Sequence, residues 1–142
     1  MPSLSAAIGA SASALDAQRA RLEVAVSNMA NADSTRGPDG LPYRRRDVVL
    51  TPAPSDSFDA ALGRADAVGV QVSGIVEDQS PFRRRFEPSH PDADSEGFVS
   101  SPNVDVSTEV VDMLGAARAY QANLTAIGLI NDTIKRSLDL GK

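Results

Sequence analysis

Residues 107–142 read STEVVDMLGAARAYQANLTAIGLINDTIKRSLDLGK, and within them Val110, Met113, Ala117, Tyr120, Leu124, Ile127, Asn131, Ile134 and Leu138 recur at alternating steps of three and four. Side chains spaced this way fall on one stripe of an α-helix, and a stripe kept up through about four heptads is the a/d seam of a coiled coil. Asn131 takes an a position, where a buried Asn fixes register at some cost in stability; its other reading is an Asn at the solvated edge of the seam. The helix is expected to open near Ser107, whose hydroxyl would cap it, with Glu109 and Asp112 in its first turns. It is expected to close at Gly141, after Lys135 and Arg136.

Working outward, proline divides the chain. Of nine prolines one is Pro2, and the rest, at 38, 42, 52, 54, 81, 88, 91 and 102, lie in a central block. Residues 3–37 and 103–142 are free of it and helix-permissive. In the first flank Ile8, Leu15, Leu22 and Met29 stand seven apart, with Ser5, Ala12, Arg19 and Val26 on the neighbouring row. That stripe is narrow and calls for a partner helix. The middle reads as short strands over Tyr43–Thr51, Gly69–Glu77 and Phe82–Glu87, with turns at Gly37–Gly40 and Pro88–Gly97 and one helical turn at Phe58–Leu62. The expected fold is α+β. Residues 1–35 and 103–142 form a discontinuous coiled-coil domain, and residues 36–102 form a small β-rich insert with turn-rich loops.

Composition removes whole classes of function. The length of 142 residues allows one compact domain with extensions. Alanine supplies 21 of the hydrophobic residues, leaving 38 of the larger types, so core-forming side chains are scarce. Aromatics at 4% and the absence of Trp leave little for an aromatic ligand pocket or a base-stacking platform. A net charge of −5 has the wrong sign for nucleic acid or an anionic membrane surface. Zero cysteines exclude disulfides, a thiolate nucleophile and a Cys-based zinc site. Residues 1–14 carry no basic residue and lack the form of a secretory signal, and no apolar run approaches the ~18 residues of a membrane span.

Chemistry-bearing clusters are few. Asp92, Asp94 and Glu96 before Gly97 imitate the first half of a calcium loop, but position 12 is Asn103 and the loop is bracketed by Pro91 and Pro102. An acidic turn serving backbone hydrogen bonds is the better reading. Asp92 and Asp94 are also the candidate carboxylate pair for acid and base work, and the sole histidine, His90, sits in a loop without an obvious nucleophile. No enzyme, cofactor or metal is expected. Arg44–Arg46 and Arg83–Arg85 stand beside Asp47 and Glu87, as a solvated strand face or a charged subunit contact would.

Ser27-Asn28-Met29-Ala30-Asn31-Ala32-Asp33-Ser34-Thr35 resembles the N-terminal signature of bacterial flagellar axial proteins, those of rod and hook. The stretch from Asn103-Val104-Asp105-Val106 through Val110-Val111-Asp112-Met113 to Tyr120-Gln121-Ala122-Asn123 resembles the signature at their other end. Between them, Gly37-Pro38-Asp39-Gly40, Gly74-Ile75-Val76-Glu77-Asp78 and His90-Pro91-Asp92-Ala93-Asp94 before Gly97-Phe98-Val99 are similar to the short members of the proximal rod. Met29 stands where that signature often has Leu or Ile, and Phe98 where Tyr is common.

The resemblance implies a structural subunit of the rod, the drive shaft crossing the periplasm. Such a subunit is exported without a cleaved signal through the flagellar type III apparatus and assembles helically with copies of itself and other rod proteins. It also implies that the packing surface includes Ile8, Leu15, Leu22, Val26, Asn28, Met29 and Asn31 on the first helix, and the seam from Val110 to Leu138 with Gln121 and Asn123 on the second. Heptads and charge by themselves also admit a soluble coiled-coil adaptor. Asn28 and Asn31, three apart near the end of the first stripe, are expected to be structural, bonding helix-end carbonyls or a neighbouring backbone.

Overall fold

A computed structural model describes residues 4–53 and 68–140. In chain order it has α1 (Leu4–Ala30), β1 (Arg46–Pro52), β2 (Val70–Glu77), β3 (Arg83–Phe86), β4 (Phe98–Ser101) and α2 (Val106–Leu140). Two long helices thus flank a small β region, the α+β class that the proline distribution implies. The helical turn expected at Phe58–Leu62 and the closing Gly141 lie outside the described residues.

Among the described residues β1 pairs with β2, and β3 with β4. Asp78 N–H donates to Arg45 C=O at 2.8 Å, and Ala53 N–H to Gly69 C=O at 2.8 Å. As one strand number rises the other falls, so β1 and β2 are antiparallel. β3 and β4 are antiparallel with Arg83 opposite Ser101 and Phe86 opposite Phe98. β4 is not anticipated by the sequence reading, which ends the turn-rich loop at Gly97.

The chain gathers into two compact units, one of Arg21–Val48 with Ile75–Leu114, the other of Met1–Ala20, Val49–Gly74 and Gly115–Lys142. In the first, Ala25, Val99, Pro102 and Val104 are the buried apolar side chains among the described residues, and Asn28 and Glu109 are buried with them. Gly97 holds φ +82°, and a Cβ there would stand 3.0 Å from Phe86 Cε2 and 3.1 Å from Pro88 Cβ. Glycine is therefore required for the chain to turn into β4. In the second unit Ala17 and Ala116 are buried. Ser13 Oγ accepts from Val70 N–H at 3.1 Å while donating to Ala10 C=O at 2.9 Å. A Cβ on Gly69 would lie 2.7 Å from that hydroxyl, so this close approach also excludes a side chain.

The start of α2 differs from expectation. Asp105 caps it: its Oδ1 accepts from Ser107 N–H at 2.9 Å and Thr108 N–H at 3.3 Å. Ser107 lies inside the first turn. A carboxylate satisfies the same orphan N–H groups as a hydroxyl and adds a favourable charge at the positive helix end.

Candidate functional site

Asn28, two residues before the end of α1, has 1% of its surface exposed. Its amide makes four hydrogen bonds. Nδ2 donates to Arg46 C=O at 2.8 Å and to Glu109 Oε2 at 2.9 Å. Oδ1 accepts from Arg46 N–H at 2.9 Å and from the Tyr43 hydroxyl at 2.9 Å. Toward Arg46 the side chain acts as a neighbouring strand would, exchanging one donor and one acceptor with the backbone where β1 begins. Only an amide presents two donors and an acceptor in this shape. Aspartate would set two carboxylates against each other, and leucine would leave every partner unmet.

Glu109, in the first turn of α2, is equally buried and is held by opposite charge as well as by Asn28. Arg45 Nε donates to its Oε1 at 2.6 Å, and Arg45 Nη2 reaches Asp112 at 3.3 Å. Burial works against the charged guanidinium of Arg45, but the hydrogen bond to Glu109 and the carboxylates of Glu109, Asp47 and Asp112 outweigh it and raise its pKa. Asn103 closes the other side: its Oδ1 accepts from Arg45 N–H at 2.8 Å, and its Nδ2 donates to Asp78 C=O at 3.1 Å. Segments from both ends of the sequence and from its middle are therefore tied through one polar knot at the centre of this unit.

Arg45 corrects one expectation. The run Arg44–Arg46 is not simply a solvated face, since the Arg45 side chain is only 19% exposed and turned onto Glu109. Arg44 donates to Asp78 C=O at 3.2 Å and lies 4.4 Å over the Phe82 ring. Arg46 is the exposed member, 5.5 Å over the Tyr43 ring.

Asn31 ends α1. Its Nδ2 donates to Ser27 C=O at 2.8 Å, satisfying a terminal carbonyl, and Ser34 Oγ donates to its Oδ1 at 3.3 Å. The following turn is tied down by the acidic loop: Thr35 Oγ1 donates to Asp92 Oδ2 at 2.8 Å, and Arg36 pairs with Asp92 at 3.4 Å. Asp94 accepts from the N–H groups of Glu96 and Phe98, both at 2.9 Å, and pairs with Arg84 at 2.8 Å. Both aspartates thus hold the loop in shape.

These bonds lower carboxyl pKa values. The Thr35 hydroxyl does so for Asp92, the Phe98 and Glu96 N–H groups for Asp94, and the Thr108 and Ser107 N–H groups for Asp105. A carboxyl whose folded pKa is depressed stabilises the fold above its unfolded pKa, about 3.9, and loses that contribution as pH falls through the folded value. The urea midpoint is therefore expected to be level above about pH 5 and to drop steadily below about pH 4. Asp105→Asn, which can still cap, should make the drop shallower.

Neither stripe is fully buried in the single chain. On α1, Ile8, Leu15, Leu22 and Met29 are half-buried and Val26 is exposed. On α2, Met113, Tyr120, Asn123, Ile127 and Ile134 are half-buried, and Val110, Ala117, Gln121, Leu124, Asn131 and Leu138 are exposed. The fully buried helical positions are instead Ala17, Ala25, Asn28, Glu109 and Ala116. Small side chains fill the tight places, and a chain with few large apolar residues cannot cover its own seams. Among the described residues, no helix is long and apolar enough to cross a membrane.

The family described as flagella basal body rod protein matches residues 8–38, and the one described as flagellar basal body rod FlgEFG protein C-terminal matches residues 95–140. The first match contains Asn28 and the second Glu109, the two ends of the knot. The chain is 45% identical over 130 residues to the flagellar basal-body rod protein FlgC of Salmonella typhimurium, covering 92% of each chain. It is 41% identical over 145 residues to the protein of that name from Bacillus subtilis, covering 95% of this chain and 96% of the other. With that of Borreliella burgdorferi it shares 36% identity over 149 residues, covering 95% of both.

Proposed function

The chain belongs to the FlgC family of flagellar basal-body rod proteins, and from that premise we propose how it serves as a structural subunit of the rod. The polar knot at Asn28 fixes the junction of the two chain ends within one unit. The open stripes of α1 and α2 then pack against copies of this chain and against other rod subunits in a helical shaft. The observation that carries this reading is the exposure of a regular heptad row. Leu124 is 46% exposed and Leu138 66%, on a helix whose pattern is that of a buried seam. A row so placed gains its burial from neighbours. Transit through the flagellar export apparatus to a rod crossing the periplasm fits a small fold with few large buried side chains, which costs little to unfold.

Leu124→Asp tests the proposal. It places a charge in the seam at a position already exposed in the free chain, so the isolated subunit should keep its helicity, and its unfolding free energy should stay within about 0.5 kcal/mol. In cells lacking the native gene, incorporation into basal bodies should be lost and swimming abolished. Normal basal-body yield and motility would refute the seam. A soluble adaptor, by contrast, would dimerise through residues 107–140 on its own, and sedimentation of the purified chain as a dimer would favour that reading.

A further inference from the structure

β3 is the exposed strand of its ribbon. All four residues, Arg83 to Phe86, are exposed, whereas the facing Val99 on β4 is 1% exposed. Glu87 N–H donates to Gly97 C=O at 2.9 Å, which makes 87 and 97 a hydrogen-bonded pair. Antiparallel pairs alternate, so with Arg85 opposite Val99 and Arg84 opposite Ser100, residues 85 and 83 turn their backbone groups toward β4, and residues 84 and 86 turn theirs away. Among the described residues no turn, loop or side-chain hydrogen bond involves the N–H or C=O of Arg84 or Phe86. The same two residues share one face, where Arg84 lies 4.7 Å over the Phe98 ring and Phe86 packs edge-on against it at 5.3 Å. Phe86 nevertheless remains 62% exposed, in a chain with only four phenylalanines.

An open strand edge beside an exposed aromatic is a template for another strand. Its charge says which kind. Three consecutive arginines would face three more if a second copy paired here about a two-fold axis, and like charges directly opposite are unfavourable. The arginines therefore act against self-pairing and toward a strand that carries carboxylates. Their present partners are displaceable: Arg83 with Asp105 at 3.4 Å, Arg84 with Asp94 and Arg85 with Glu87 are all solvent-exposed pairs.

We propose that the free edge of β3 docks an extended acidic segment of another polypeptide, which adds a strand through the Arg84 and Phe86 backbone and rests an apolar side chain on Phe86. This goes beyond the seam packing proposed above, because it uses neither helix, and its test in solution is independent of rod assembly.

The probe is a short blocked peptide alternating glutamate and valine, added to the purified full-length chain, with amide hydrogen exchange read residue by residue. Slowed exchange at the Arg84 and Phe86 amides, absent with a lysine and valine peptide of equal length, is expected. Arg84→Pro removes an outward donor while leaving the β4 ladder intact, and should weaken binding by about tenfold or more with protection of the Arg85 amide retained. No binding, binding without protection at 84 and 86, equal binding of the lysine peptide, or dimerisation of the chain through β3 would each overturn the proposal.

Discussion

Asn28→Ala is expected to lower the unfolding free energy by about 3–5 kcal/mol, measured by urea denaturation of the purified chain. Truncation leaves the Tyr43 hydroxyl, both backbone groups of Arg46 and one oxygen of buried Glu109 without the partner they have now. A buried polar group so stranded costs about 1–3 kcal/mol, and not all four will find water. Asn28→Asp sharpens the test because it keeps the shape. It retains the acceptor toward Tyr43 and Arg46 but sets a carboxylate 2.9 Å from Glu109, where Nδ2 now donates. One of the two acids must then take a proton, so its folded pKa rises above the unfolded value. Such a group stabilises the fold below its unfolded pKa and loses that contribution as pH rises through the folded one. The deficit of Asn28→Asp should accordingly be largest at pH 7 and shrink toward about pH 4, whereas the deficit of Asn28→Ala should not show that trend. An Asn28→Ala midpoint equal to that of the native chain would reduce the knot to incidental contacts.

Arg45→Met should cost a comparable 3–5 kcal/mol, because it leaves Glu109, with a side chain 2% exposed, as a buried charge facing only an amide donor. The methionine keeps most of the stem packing, so the loss reports on charge. Adding Glu109→Gln removes the uncompensated charge while its amide oxygen can still accept from Asn28, and the double variant should recover about half of the loss. That coupling, read from a double-mutant cycle, separates the ion pair from packing. Additive losses would contradict the pairing.

The parts of this fold legible in the sequence are those governed by short spacings. Absence of proline over residues 3–37 and 103–142 announces two helices, and both appear as α1 and α2. Alternation with bounding turns places β1, β2 and β3 within a few residues. β4 escapes because Phe98–Ser101 is four residues long and follows directly on a loop, too brief to show a period. The cap escapes for a similar reason: Asp105 and Ser107 are both good capping residues two apart, and only the backbone decides which one stands outside the first turn.

The site was half visible. That Asn28 and Asn31 have structural work follows from their place at the end of an apolar stripe, and each does bond backbone there. The charged half of the knot carries no such signal. Glu109 lies 81 residues from Asn28 and looks like any acid in a first helical turn. Arg45 sits in a run of three arginines of which it alone forms the central ion pair with Glu109. A long-range polar pairing has no period, and single-residue chemistry does not mark which arginine turns inward.

In the assembled rod the partly exposed rows on α1 and α2 should be closed by neighbouring subunits, while the Asn28 knot holds each subunit's own chain ends. Electron cryomicroscopy of basal bodies containing this chain tests it most directly. Leu124, Ile127 and Leu138 should be buried against adjacent subunits in the rod, with the Asn28 to Glu109 bond preserved in every copy. A rod in which those leucines still face solvent, or in which Asn28 has left Glu109, would rule out this packing.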